Sequence, residues 1–300
     1  MRPWIYRFIA PSEWPLIGGV DLSTPAYFFF LTLGFLLATN IVVREAQRSR
    51  EDVRDMLDLA ILMLVGGLVG ARLGHILFEM PGYYWKHPGY MFQFWRGGLV
   101  YYGGLLFNLV IALLYCRRRG LDFWRVGDIF APAVSFGLIF GRMGCLSAGC
   151  CYGKPADFPF GLKVPWSVTF YHGQVPVDLR GVPLHPTQIY EALSCLLLYL
   201  YLVRLRKKQK YDGQVFWTFL VIYSILRSVI EAFRFDLDRV VYFDGWISTS
   251  QIISLGILIA AAIVMPKLAR RARRNGSYGK GPAWIAEVSD PPGGESLVEG

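Results

Sequence analysis

Charged residues are scarce in this chain of 300 residues: Asp, Glu, Lys and Arg make up 18%, whereas hydrophobic residues make up 54%. The charges are also unevenly divided, since 22 acidic residues face 31 basic ones and give a formal net charge of +9. Apolar windows of about 20 residues recur along the chain, and this length crosses the core of a bilayer. The composition therefore excludes an ordinary water-soluble domain and predicts an all-α polytopic membrane protein.

Two further absences narrow the interpretation. The basic residues lack the aromatic-basic groove motifs of nucleic-acid-binding proteins, so no nucleic-acid partner is expected. The N-terminal stretch "MRPWIYRFIAPSEWPLIGG" lacks a long apolar core and an A-x-A-like cleavage site. It is expected to stay attached and to lie along the membrane surface.

The apolar windows predict seven transmembrane helices, and the basic residues fix their direction. Basic clusters follow the first, third, fifth and seventh windows, so all of them fall on one side. Because short loops rich in Lys and Arg stay in the cytoplasm, the N-terminus is expected outside and the C-terminus inside. The predicted spans are 26–43, 58–78, 97–116, 127–143, 186–205, 214–235 and 247–265.

The connections complete the predicted organisation. The segments are an interfacial N-terminal arm (1–25), spans one to four (26–143) with an outer interfacial arm (79–96), a small external head (144–185), spans five to seven (186–265), and a basic, then disordered, cytoplasmic tail (266–300).

Charged residues inside the spans indicate where the chemistry lies, because a charge near the bilayer centre costs about 2.5–3.5 kcal/mol on insertion scales. Tyr223, Arg227 and Glu231 are spaced i, i+4, i+8, so they share one helix face. The spans and their ends hold four arginines. As acidic counter-ions for them we count only Glu231, together with Glu79 near the end of a span. The surplus predicts an external anion such as a phospholipid phosphate. The four arginines are Arg72, Arg142, Arg227 and Arg234.

A plainer interpretation of the same residues exists. Arg227 and Glu231 neutralise each other if they form a buried i,i+4 pair, and Arg234 then extends to the outer surface. Two glycines, Gly103 and Gly104, start the third span in "WRGGLVYYGGL", where small residues allow close helix contact or approach to a ligand.

Three cysteines, Cys145, Cys150 and Cys151, follow the fourth span with the spacing C-x₄-C-C. Structural disulfide or plain packing, a soft-metal site completed by His172 or His185, and catalytic thiol chemistry are three alternatives. The third alternative would make the chain a membrane thiol redox protein.

Several motifs in order resemble the prolipoprotein diacylglyceryl transferase family over roughly residues 20–265: "GARLGHILF", "WRGGLVYYGGL", "GRMGC…GCCYG", "HPTQIYE" and "YSILRSVIEAFR". The resemblance implies an enzyme of the bacterial inner membrane, with seven spans, a periplasmic head and an active site toward the periplasm. It implies transfer of the diacylglyceryl group of phosphatidylglycerol to the lipobox cysteine in a prolipoprotein signal peptide, with release of glycerol 1-phosphate. No cofactor and no metal are expected.

The resemblance also assigns site residues. Arg142 matches the arginine that binds the lipid phosphate, Arg227 matches a second functional arginine, and Tyr102 and Glu231 complete the expected catalytic set. The positions expected to bind phosphatidylglycerol are Arg142, Gly144, Gly153, Tyr27, Tyr223 and Arg234, together with Arg72, Gly103 and Gly104 from the arguments above.

Three positions depart from the family pattern. Tyr102 stands where the family usually has histidine, Cys145 where it has asparagine, and Cys150 where it has glutamate. Because tyrosine has an ordinary pKa near 10, Glu231 or the departing phosphate is an alternative proton acceptor. A non-catalytic phospholipid-binding relative is therefore a further alternative.

Overall fold

The computed structural model describes residues 4–6, 24–92, 100–156, 167–170, 176–235, 241–242 and 247–279. These residues are mainly helical. The helices are α1 (Ala26–Ser49), α2 (Val53–Gly74), α3 (Pro81–Lys86), α4 (Tyr101–Arg119), α5 (Phe123–Ala148), α6 (Thr187–Lys207), α7 (Gln214–Glu231) and α8 (Thr249–Arg274). A π-helix, His75–Glu79, continues α2, and 3₁₀ turns cover Pro88–Phe92 and Val177–Leu179.

The long helices lie where the spans were predicted, and within the described residues six of them are long and apolar enough to cross a membrane. The remaining long helix, α4, ends in three consecutive arginines, Arg117, Arg118 and Arg119, which lower its mean hydropathy. The predicted class, an all-α polytopic membrane protein, is confirmed. A seventh crossing through α4 stays a prediction.

Local sequence signals begin and end several helices. The Asp52 carboxylate accepts a hydrogen bond from the backbone N–H of Arg54 at 2.8 Å, which caps the start of α2. Ser248 and Gln251 form a reciprocal capping box at the start of α8. Gly120 ends α4 in the left-handed conformation, with φ of 70°, where a side chain would be strained.

The chain forms two compact units. The first unit comprises Met1–Ile41 and Phe130–Gly300, and its helices α5, α6 and α7 share an apolar core. Helix α1 packs closely on α5, because a Cβ placed on Gly34 would lie 2.7 Å from the Cβ of Phe140. The buried core residues are Ala131, Leu198, Leu202, Val215 and Phe219.

The second unit comprises Val42–Ile129 and is dominated by the packing of α2 on α4. Glycines bring these two helices into backbone contact. A Cβ on Gly103 would lie 2.5 Å from the carbonyl oxygen of Gly70 and 2.8 Å from the Cα of Gly74. Any larger residue at position 103 would therefore push the helices apart.

Short antiparallel strands lie before and between the helices of the first unit. The strands are β1 (Trp4–Tyr6) with β2 (Thr24–Pro25), β3 (Val168–Thr169) with β4 (Pro183–Leu184), and β5 (Val241–Tyr242) with β6 (Ile247–Ser248). The connection between α5 and α6 has its own small apolar cluster, formed by Leu146, Tyr152, Phe170 and Leu184.

Large apolar side chains on the helices face outward. Phe28, Leu197 and Leu255 are 57%, 68% and 60% exposed, although each lies within a long apolar helix. Exposed apolar side chains on membrane-length helices are expected where lipid, rather than water, surrounds the protein.

Candidate active site

Arg142 forms the centre of the candidate site. It lies near the end of α5, and its Nη2 donates to the carboxylate of Glu191 on α6 at 2.7 Å. The two side chains are only 16% and 4% exposed. A buried guanidinium is costly unless a carboxylate is fixed beside it, so Glu191 determines where Arg142 points.

Tyr223 of α7 joins this pair. Its hydroxyl donates to the same Glu191 carboxylate oxygen at 2.9 Å. Its ring stacks on Phe219, with the ring centroids 5.7 Å apart. Three helices therefore meet at one carboxylate, which holds the arginine and the tyrosine side by side.

A second ion pair follows along α7. Arg227 contacts the carboxylate of Glu231 at 2.7 Å, and Glu231 is only 2% exposed. Because a helix rises 1.5 Å per residue, Arg227 lies about 6 Å further along the axis than Tyr223. The polar face predicted for this helix is thus partly neutralised by its own i,i+4 pair, as the plainer interpretation expected.

The predicted excess of positive charge was wrong in one respect. The count omitted Glu191, which lies in the predicted fifth span and pairs with Arg142. Among Arg142, Arg227 and Arg234 on one side and Glu191 and Glu231 on the other, the balance is three cations to two anions. The excess of positive charge among these described residues is therefore smaller than the sequence suggested.

Two glycines that were predicted to bind the lipid, Gly144 and Gly153, lie in this unit and pack closely against neighbouring segments. A Cβ on Gly144 would lie 3.1 Å from the Tyr27 ring, so these two predicted positions are neighbours on α5 and α1. A Cβ on Gly153 would lie 2.7 Å from the Cβ of His185 and 2.8 Å from the carbonyl oxygen of Phe233. The Gly153 N–H also donates to the His185 carbonyl at 3.0 Å. Both glycines are needed for close packing.

The end of α7 returns to this connection. The backbone of Arg234 pairs with that of Gly153 in an isolated antiparallel bridge, and the Lys154 N–H donates to the Phe233 carbonyl at 2.9 Å. The chain after α5, at Gly153 and Lys154, and the chain after α7, at Phe233 and Arg234, are therefore held together by main-chain hydrogen bonds.

The three cysteines form a cluster at the end of α5. The sulfur atoms of Cys145, Cys150 and Cys151 all lie within 4.8 Å of one another, and all three are free thiols. Gly149 and Cys151 both adopt left-handed backbone conformations, with φ of 71° and 57°, which turn the chain back on the helix end. His172 lies outside the described residues.

The thiols of Cys150 and Cys151, which follow the end of α5, have pKa values that shift in opposite directions. Hydrogen bonds with the Cys145 and Cys150 thiols lower the pKa of Cys151, and the positive charges of Arg142 and Arg234 add to this effect while burial opposes it. Hydrogen bonding with Cys145 and Cys151 raises the pKa of the Cys150 thiol. These hydrogen bonds and the two arginines therefore favour the thiolate form of Cys151.

Four predicted site residues lie in the second unit. Arg72 donates to the backbone carbonyls of Tyr90 at 2.6 Å and Met91 at 3.1 Å, and its guanidinium lies 5.2 Å from the centre of the Tyr84 ring. Gly103 and Gly104 lie at the contact of α4 with α2, and Tyr102 lies beside them in the first turn of α4. Their lipid-binding and catalytic roles stay predictions.

Comparison with known proteins identifies the family. The family model described as prolipoprotein diacylglyceryl transferase matches residues 17–266. The chain is 34% identical over 251 residues to the phosphatidylglycerol–prolipoprotein diacylglyceryl transferase of Geobacter sulfurreducens, covering 82% of this chain and 91% of that protein. It is 31% identical over 252 residues to that of Finegoldia magna, covering 84% and 93%. The chain belongs to the prolipoprotein diacylglyceryl transferase family.

Proposed function

We propose that the chain transfers the diacylglyceryl group of phosphatidylglycerol to a cysteine thiol in the lipobox of prolipoproteins. Family membership supports the reaction, and the arrangement of Arg142, Glu191 and Tyr223 supports the site. The same evidence favours the transferase over the thiol redox alternative.

Arg142 is the proposed ligand of the lipid phosphate. A guanidinium carries five N–H donors, and Glu191 takes up a donor at Nη2. The remaining donors are held in a fixed orientation, which costs no reorganisation when the phosphate enters. Arg227 on α7 and Arg234, three residues after the end of α7, are the proposed further positive charges for the phosphate as its charge grows.

The reaction is a displacement at the glyceryl carbon that carries the phosphate ester. The acceptor sulfur forms a bond to this carbon as the carbon–oxygen bond breaks, and the electron pair leaves on glycerol 1-phosphate. The thiol has a free pKa near 8.5, so nearby guanidinium groups favour its thiolate. The thiol proton is released to solvent as the thiolate forms, and glycerol 1-phosphate, a monoester with a second pKa near 6, leaves mainly as a dianion.

We also propose how the chain lies in the membrane. The last turns of α4, α6 and α8 carry the arginines and lysines, whereas Glu191 lies in the second turn of α6, at its other end. Arg206 and Glu191 are 15 residues apart on one helix, or about 22 Å. With the basic ends in the cytoplasm, the candidate site opens toward the outer, periplasmic face of the bacterial inner membrane.

Substitution of the two arginines tests the proposal. Arg142→Ala and Arg227→Ala are each expected to abolish transfer from phosphatidylglycerol to a lipobox peptide in isolated membranes. Arg204→Ala is the matched control, because Arg204 is an exposed arginine at the other end of the same helix bundle. Unchanged turnover in either site variant, with the control also active, contradicts the assigned role.

A further inference from the structure

The cysteine cluster is a preformed set of metal ligands. We propose that Cys145, Cys150 and Cys151 bind one thiophilic d¹⁰ cation, Cu(I) or Zn(II), through their three sulfur atoms. The three sulfurs lie within 4.8 Å of one another. In a trigonal complex with metal–sulfur bonds of about 2.3 Å, the sulfurs are about 4.0 Å apart, so adjustment of less than about 1 Å closes the site.

The backbone around the thiols is fixed by buried side chains of α6. The Thr187 hydroxyl donates to the Cys151 carbonyl at 2.6 Å, and the Gln188 amide donates to the Cys150 carbonyl at 2.7 Å. Thr187 and Gln188 are only 2% and 1% exposed. Anchors of this kind orient the ligand-bearing backbone and are usually worth 10- to 100-fold in metal affinity.

The turn that carries the proposed ligands also has a rare backbone conformation that holds the thiols together. Cys151 holds a left-handed conformation, with φ of 57°, that side chains other than those of Gly, Asn and Asp adopt rarely. The left-handed conformations of Cys151 and Gly149 bring Cys150 and Cys151 close to the Cys145 thiol near the end of α5. The main-chain hydrogen bond from Cys150 N–H to the Cys145 carbonyl, at 3.1 Å, closes the turn.

The surrounding charge suits an anionic metal–thiolate complex. Three thiolates around a monovalent or divalent cation keep a net negative charge, and Arg142 and Arg234 both interact electrostatically with Cys151. Thiolates select soft cations such as Cu(I) and Zn(II) over magnesium or calcium. The transfer reaction proposed above needs no metal.

Binding to the purified full-length protein in detergent tests the proposal. After anaerobic reduction, Cu(I) and, as the Zn(II) analogue, Cd(II) are titrated separately while sulfur-to-metal charge transfer is followed in the ultraviolet. At least one of them is expected to bind at one ion per chain. The Cys145→Ala/Cys150→Ala/Cys151→Ala variant is expected to lose this binding, and Cys116→Ala/Cys195→Ala to keep it, because those two cysteines are buried elsewhere on α4 and α6.

A second measurement, on the wild-type chain, tests the proposal even if the triple variant does not fold. The bound ion is expected to protect the three cluster thiols from alkylation, as located by mass spectrometry, and to leave the reactivity of Cys116 and Cys195 unchanged. Thr187→Val is expected to weaken binding about 10- to 100-fold. The proposal is overturned if neither ion binds, if the triple variant binds as the wild type does, or if a disulfide forms in the cluster and persists under reduction.

Discussion

Arg142 of α5 and Glu191 of α6 form a buried ion pair at 2.7 Å, although 49 residues separate them in the chain. Glu191 also accepts from Tyr223 of α7, so one carboxylate orients two side chains of the proposed lipid site. Removing one partner of such a pair leaves the other charge buried without compensation, which is more damaging than removing both.

Glu191→Ala is expected to lower transfer about 10- to 100-fold, because Arg142 and Tyr223 both lose the acceptor that orients them. Glu191→Gln is expected to retain more activity, since its amide oxygen still accepts hydrogen bonds from both. The measurement is the initial rate of transfer to a lipobox peptide in proteoliposomes containing phosphatidylglycerol.

A control for this prediction comes from another buried glutamate. Glu45 on α1 is 6% exposed and pairs with Arg48 at 2.8 Å, and it is not one of the predicted site residues. Glu45→Ala is expected to transfer at a rate near that of the wild type. A wild-type rate in Glu191→Ala would show that Arg142 does not depend on Glu191.

The pairing of Arg142 with Glu191 also marks the limit of what the sequence predicts. Residues that share a helix face, such as Arg227 and Glu231, follow from the helical period alone. Partners on different helices depend on how each helix is rotated about its axis, and the period does not specify this. The signal available for Glu191 was its position as a lone carboxylate inside an apolar span, as the last residue of the motif "HPTQIYE".

Arg72 offers a test between structural support and lipid binding. Its guanidinium donates to the carbonyls of Tyr90 and Met91 from two different nitrogens, a geometry that lysine does not reproduce. Arg72→Lys is therefore expected to loosen residues 83–92 as much as Arg72→Ala does. Faster hydrogen exchange of these amides in both variants is the expected measurement.

The alternative for Arg72 gives a different result. If Arg72 acts mainly as a positive charge for a lipid phosphate, Arg72→Lys keeps most of the affinity for phosphatidylglycerol and leaves exchange in 83–92 unchanged. Arg180→Lys, at an exposed turn in the other unit, is the control for substitution alone.

Gly153→Ala is expected to destabilise the protein by about 1–3 kcal/mol, because the added methyl group would lie 2.7 Å from both the Cβ and the carbonyl oxygen of His185. Thermal unfolding in detergent measures the effect. Gly256→Ala is the matched control, since a Cβ on Gly256 in α8 meets no atom within 4 Å, and alanine there favours the helix. Equal unfolding temperatures for the two variants would contradict the packing role of Gly153.

The helices were more predictable than the connections for a physical reason. A membrane-length helix must satisfy every backbone hydrogen bond within itself, so length and apolarity suffice to locate it. The short 3₁₀ turn Pro88–Phe92 carries no comparable signal, because a distant side chain, Arg72, holds it through the carbonyls of Tyr90 and Met91. The C-x₄-C-C spacing indicated a thiol cluster because the three cysteines are close together in the sequence.

The proposed orientation predicts the behaviour of reporter fusions on either side of α6. The connection before α6 is expected outside and the basic connection after it inside, since Arg204, Arg206 and Lys207 in its last turn favour the cytoplasm. Alkaline phosphatase, which is active only after export, is expected to be active when fused after Arg180 and inactive after Lys210. Green fluorescent protein at the same positions is the control and is expected to show the reverse pattern. Active phosphatase after Lys210, with no fluorescence there, would place the basic end outside and the Arg142–Glu191 pair toward the cytoplasm, which contradicts the proposed orientation.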